Sequence, residues 1–184
     1  MATQILPAPL TADDFLNHYS EVEDGFRKFE LFNGEITPRP MTNRIHDDIK
    51  NQIACGLILY FQKSPGYLAL VETTFKLTAT IVFTPDVAMI GRERWYAMRE
   101  KFAAGAPDIA FEVISSDSAK RLQFKIDAYL ENGAKAVCCI YPEQKRVSVF
   151  MPGQWTELKG SDSLEFPSLL PGFSLPLPEI FKAS

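Results

Sequence analysis

Two near-continuous apolar runs, Ile109-Ala-Phe-Glu-Val-Ile114 and Ala136-Val-Cys-Cys-Ile-Tyr141, bracket a segment of helical period, and nothing else in the sequence constrains the fold as much. A strand that is apolar on both faces belongs inside a sheet covered on both sides. Between the runs, Ser116 to Asn132 carries Ala119, Leu122, Ile126, Tyr129 and Leu130 on one stripe, with Gly133 as the C-terminal stop. Strand, helix and strand in so short a span form a βαβ crossover, which pairs its strands in parallel and turns right-handed.

The remaining elements lean the other way. Asn33-Gly34 between Lys28-Phe-Glu-Leu-Phe32 and Glu35-Ile36 signals a hairpin, because both turn positions need positive φ. Thr11-Ala-Asp-Asp14 opens a short helix with an N-cap residue and an acid three positions on. Ile45, Ile49, Ile53, Leu57 and Phe61 repeat every four residues, so the spacing predicts a helix from Thr42 to Lys63, stopped by Pro65-Gly66. Tyr67 to Thr74, Thr80 to Phe83 and Val87 to Ile90 read as a meander, and residues 92–103 as a surface helix. Arg146 to Phe150 and Gln154 to Leu158 flank Pro152-Gly153 as a C-terminal hairpin. Antiparallel elements around a parallel crossover predict an α/β fold of the α+β kind. It is a central mixed β-sheet flanked by helices, with an extra N-terminal hairpin and a C-terminal β-hairpin. No repeat or linker divides residues 1–184, so one domain is expected.

With 46% hydrophobic residues the chain is neither disordered nor collagenous. The 19 bases and 23 acids leave a net charge of -4, which at first opposes a nucleic-acid partner. The excess acid lies entirely in residues 1–60, with nine acids and five bases, whereas the window 91–146 holds ten bases and eight acids. Any anionic partner is expected near that window. Cys55, Cys138 and Cys139 are odd in number, with the adjacent pair on opposite faces of a strand, which suits free thiols in a reducing compartment. No secretory leader and no run of about 18 apolar residues is visible, so a soluble, cytoplasmic protein without membrane contact is expected.

Two carboxylates stand where a plain fold places apolar side chains. Asp86 sits between Val82-Phe83 and Val87-Ala88, and Glu112 lies inside the central apolar run. A buried carboxylate costs several kcal/mol unless it is paired, protonated or metal-bound. Lys125 lies at the flank of the apolar stripe, about 100° from Ile126, so its stem can run along the sheet toward both acids. Two oxygen ligands plus water suit Mg²⁺, and a lysine beside them can orient or help deprotonate an attacking water. Structural roles are equally open to these residues. Asp86 can cap the turn after Pro85, Glu112 can pair with Lys125 in a buried salt bridge, and Lys125 can snorkel to the surface.

Pro85-Asp86, then Glu112-Val-Ile-Ser115, then Lys125 thirteen residues beyond Glu112 resemble the signature of the Uma-type "Putative restriction endonuclease" family of the PD-(D/E)XK nuclease superfamily. Phe29-Glu-Leu-Phe-Asn-Gly-Glu35 is similar to that family's opening hairpin, and His46 to its helical histidine. Gly105-Ala-Pro-Asp-Ile-Ala-Phe-Glu-Val113, Ala128-Tyr129, Gly133-Ala134 and Leu170-Pro-Gly-Phe173 resemble its later segments. No one motif is specific; their order and spacing together are. The resemblance implies a restriction-endonuclease-like core and a metal-dependent endodeoxyribonuclease that hydrolyses DNA phosphodiester bonds. Asp86 and Glu112 would hold Mg²⁺, for which Mn²⁺ substitutes. Lys125 would be the catalytic lysine, Glu35 or Glu30 a further carboxylate, and His46 a supporting polar contact.

The chain departs from the family pattern at Ile114, Arg121 and Tyr141, the first where E-x-K has its lysine, the others where acids are usual. Those departures and the acidic charge motivate an alternative, a catalytically inactive nuclease fold that binds nucleic acid or protein. DNA is the expected partner, held weakly and only with metal. A homodimer is also expected, since two cuts in a duplex need two sites, and Trp155 and Phe173 are candidate contacts.

Overall fold

The computed structural model describes residues 9–18, 28–115 and 118–182. In chain order these form α1 (Ala12–His18), β1 (Phe29–Phe32), β2 (Glu35–Pro38), α2 (Arg44–Lys63), β3 (Tyr67–Val71), β4 (Phe75–Lys76), β5 (Val82–Phe83) and β6 (Val87–Gly91). There follow α3 (Arg92–Ala97), β7 (Ala103–Ala104), β8 (Ile109–Val113), α4 (Ala119–Glu131) and β9 (Ala136–Tyr141). The chain ends in β10 (Arg146–Met151), β11 (Gln154–Lys159), β12 (Ser163–Phe166), β13 (Leu170–Pro176) and α5 (Leu177–Ile180).

The main sheet has the order β11-β10-β9-β8-β6-β3, and β8 with β9 is its parallel pair, as the crossover requires. The sheet is apolar on both faces because each face meets its own core. Ile109, Phe111 and Val113 pack with Ile49, Ile53, Leu57 and Phe61 of α2. On the opposite face Ala110, Val137 and Cys139 meet Ile126, Ala128 and Tyr129 of α4. Cys138 and Cys139 accordingly enter different cores as free thiols.

Caps fix the helix positions. Thr11 Oγ1 accepts from the Asp14 N–H at 3.1 Å, and Asn43 Oδ1 accepts from the His46 N–H at 3.0 Å, which starts α2 just after Thr42. Ser118 Oγ accepts from the Arg121 N–H at 3.3 Å at the start of α4, while Ser116, the expected first residue, lies outside the described residues. At the hairpin of β1 and β2, Asn33 and Gly34 have φ of 50° and 81°, the values the Asn-Gly pair predicts.

Residues 67–90 do not form a meander. β3 pairs directly with β6, and the intervening β4 and β5 leave for a second sheet of order β2-β1-β5-β4-β7. The chain leaves the main sheet at Glu72, whose φ is 47°. Val82 then packs with Phe15, Leu16 and Leu31 in a third core, which rewards the departure. The helix expected over residues 92–103 stops at Ala97, since Met98 already has an extended backbone with ψ of 137°, and Ala103–Ala104 pairs in parallel with β4. Beyond the expected C-terminal hairpin lies a second, β12 with β13, laid against α2. Gly56 lies close under it: a Cβ there would meet Leu175 Cδ2 at 3.1 Å. Phe173 is core, whereas Trp155 is exposed and stacked on Phe150. No described helix is long and apolar enough to cross a membrane.

Candidate functional site

The register of β6 against β8 brings the two misfit acids together. Val87, the first residue of β6, lies opposite Phe111, so Asp86 just before it is brought beside Glu112 on β8 and accepts from the Val113 N–H, while the Glu112 side chain meets α4. They are 3% and 6% exposed. From α4, Lys125 reaches down with Nζ 2.8 Å from Glu112 Oε1 and 3.2 Å from both oxygens of Glu30 on β1. One turn later Tyr129 donates its hydroxyl to Glu112 Oε1 at 2.9 Å. Asp86 is gripped from three directions. Arg39 Nη2 lies 3.1 Å from Oδ1, His46 Nε2 lies 3.2 Å from Oδ2, and the Val113 N–H donates to Oδ2 at 2.7 Å.

Asp86, Glu112, Lys125 and His46 thus converge as the sequence suggests. Of the two candidate hairpin carboxylates, Glu30 is the one in the cluster, held by the Thr84 N–H at 2.8 Å. Glu35 is exposed opposite Phe32 and does not line the central cavity. Glu35 is the first residue of β2, next to the turn, whereas Glu30 pairs with Thr37 nearer the other end of the hairpin, where Arg39 follows. Arg39 and Tyr129 are members that sequence reading missed. Tyr129 falls on the buried stripe of α4, but its spacing of four from Lys125 would have placed both on one side of the helix. Arg39, in a Thr-Pro-Arg-Pro stretch, carries no such signal.

These groups surround a cavity of about 30 Å³, enough for one or two waters. Three carboxylates, Glu30, Asp86 and Glu112, share it with the cations of Arg39 and Lys125. Burial opposes ionisation of Asp86, yet His46, Arg39 and the Val113 N–H hold its carboxyl below the usual range. Burial pushes Glu112 up to about 7, with Lys125 opposing and Asp86 and Glu30 reinforcing. The Lys125 ammonium, despite burial, is held in its charged form by Glu112 and Glu30.

The donor set suits a hard divalent cation. Asp86 and Glu112 offer oxygen only, and the cavity leaves room for water. It does not make a closed protein cage, since among the described residues no three His, Cys, Asp or Glu side chains are placed to hold one ion. Arg39 already occupies one Asp86 oxygen. The residues fit a cation held by two carboxylates and completed by water, with Arg39 yielding Oδ1.

The raised Glu112 makes a stability prediction. Between its unperturbed value of 4.5 and about 7 the folded protein binds more protons at this group than the unfolded chain, so Glu112 costs stability increasingly as pH rises through that window. Urea unfolding in EDTA should therefore show Glu112→Gln gaining on the wild type between pH 5 and 8. Parallel curves for the two proteins would sink the assignment.

No curated protein matches the chain. A crystal structure of a putative nuclease belonging to DUF820 from Anabaena variabilis superposes with a TM-score of 0.80 at 21% identity, covering 95% of this chain and 98% of that one. The family model described as "Putative restriction endonuclease", Uma2, matches residues 12–178, from the first residue of α1 into α5. That span takes in the hairpin acids, the α2 histidine, the cross-strand pair and the α4 lysine, and by it the chain belongs to the Uma2 family.

Proposed function

We propose that this chain hydrolyses DNA phosphodiester bonds at the cluster of Asp86, Glu112 and Lys125, with Mg²⁺ or Mn²⁺ held by the two carboxylates. The observation that carries this reading is the cross-strand pair of buried acids with the Lys125 amine 2.8 Å from Glu112 beside a water-sized cavity. When bound, the metal would supply Lewis acidity toward a phosphoryl oxygen and would acidify water. Lys125 keeps its proton at neutral pH, so it acts as a hydrogen-bond donor and positive charge for the attacking water and the developing phosphorane, not as the base. Glu30 aims the Lys125 amine, and Tyr129 fixes Glu112 Oε1, leaving Oε2 as its second oxygen for the cavity. His46 orients Asp86 through Oδ2. Arg39 leaves Oδ1 and turns its guanidinium to the scissile phosphate, which it suits by geometry and charge.

A second reading, a nuclease fold without turnover, is favoured by one observation: both Asp86 oxygens are engaged within the protein. Purified protein incubated with supercoiled plasmid separates the two. The first predicts nicked or linear DNA with Mg²⁺ or Mn²⁺ and none after EDTA. Intact DNA and RNA under every condition, with no heat of Mg²⁺ or Mn²⁺ binding in calorimetry, would establish the second. A homodimer would let two such sites cut both strands.

A further inference from the structure

Two cavities of about 270 Å³ adjoin the central one through shared lining residues, and they differ in chemistry. The first shares Arg39, Pro40 and Thr42 with the centre and adds Lys28 and Glu72, themselves an ion pair at 2.5 Å, so its wall carries two cations and one acid. The second shares His46 and Ser115 with the centre, has no lysine or arginine in its lining, and contains the acid Glu143. Lysine and arginine line only the first of the two, and Glu143 disfavours a phosphate in the second.

We propose that this second cavity receives one unpaired nucleobase of a DNA strand, next to the phosphate at the cluster, so that the preferred substrate is single-stranded or locally unpaired DNA; this rests on the nuclease reading above. Tyr141 provides the stacking surface. It is half-buried at the end of β9 and lines the cavity, and the Arg146 guanidinium, which is not part of the lining, lies 3.8 Å from the ring centroid. Arg146 is opposite Tyr141 in the β9–β10 register and is itself held by Ser148 Oγ at 3.0 Å and Glu157 Oε2 at 2.9 Å. The ring is therefore braced on one side, which removes much of the ordering cost of a base landing on it. Ile45 and Ile114 supply apolar walls. Polar edges are met by Gln144, by the amide N–H groups of Asn43, whose Oδ1 is committed to the α2 cap, and by Glu143, which can accept from an exocyclic amine. A base inside a duplex is stacked and paired, and could enter only after leaving the helix.

The test uses the full chain and one oligonucleotide sequence, single-stranded and as duplex. Steady-state cleavage with Mg²⁺ should favour the single strand, and Tyr141→Ala should raise KM for it by about tenfold with kcat little changed, while Tyr141→Phe behaves as wild type. Gln144→Trp, which fills the cavity from an exposed position, should raise KM in the same way and covers the case in which Tyr141→Ala does not fold. In binding, 2-aminopurine placed at successive positions of the single strand should be quenched at one position by wild type and not by Tyr141→Ala. Cleavage with equal preference for duplex and unchanged KM in both variants would overturn the base pocket and leave the nuclease standing. Absence of all cleavage would remove the nuclease, and the pocket would then stand or fall on whether the position-specific quench is seen.

Discussion

Asp86→Asn is expected to slow DNA cleavage by at least about a thousandfold, the equivalent of roughly 4 kcal/mol of transition-state stabilisation, and to remove Mg²⁺ binding from calorimetric titrations. Asparagine keeps the volume and one acceptor, so the Val113 N–H that donates to Oδ2 at 2.7 Å keeps a partner. What it removes is the anionic charge opposite Glu112, and with it half of the oxygen pair proposed for the cation. His46 and Arg39 lose a charged hydrogen-bond partner, at a cost of about 1.5–3 kcal/mol each at most. A single cooperative unfolding transition by circular dichroism, at reduced midpoint, would show that the variant folds. If folded Asp86→Asn cuts as fast as wild type, the cleavage centre lies elsewhere.

Lys125→Met should be the most destabilising single change in the cluster. Lys125 is 4% exposed and is the cation between Glu30 and Glu112; without it two buried carboxylates lose their shared counter-charge. Breaking a buried pair in this way costs about 3–5 kcal/mol. For a chain of this size that lowers the thermal midpoint on the order of 10 °C. The loss should shrink at pH 5, because Glu112 in the variant is then protonated, and should shrink again at pH 8 in Lys125→Met/Glu112→Gln, which restores a neutral neighbour. An unchanged melting temperature for the single variant would mean that Lys125 is solvated in solution and not part of the cluster. Activity alone cannot separate these roles, since loss of the ammonium should also abolish cutting.

Much of this was legible in the sequence for one physical reason: charged residues in apolar runs are costly and therefore conspicuous. Asp86 and Glu112 stand out because their neighbours along the strand are buried, and the βαβ unit fixes β8 at the sheet centre. Of the roles that the sequence leaves open for Lys125 and Glu112, the buried salt bridge is the one seen, at 2.8 Å, and the proposed catalytic arrangement uses the same contact. Other features were hidden because they depend on pairings between distant segments. Nothing local tells Glu30 from Glu35; that choice is made when β1 joins β5 through Leu31 and Val82. The β3–β6 pairing spans an excursion into another sheet, which a run of short apolar segments disguises as a meander. Arg39 comes from a proline-flanked loop, where periodicity has nothing to report.

The cluster draws on segments widely separated along the chain: Glu30 and the Lys125 that binds it are 95 residues apart, and Arg39 and Asp86 are 47 apart. Contacts of such separation form late, after loop closure has been offset by the packing of the sheet and its helices. A chain still emerging during synthesis holds Asp86 before it has Glu112 or Lys125, and so has no site. Any cutting activity would then be an all-or-none property of the closed fold, and its recovery during refolding would report when the last long-range contacts are made.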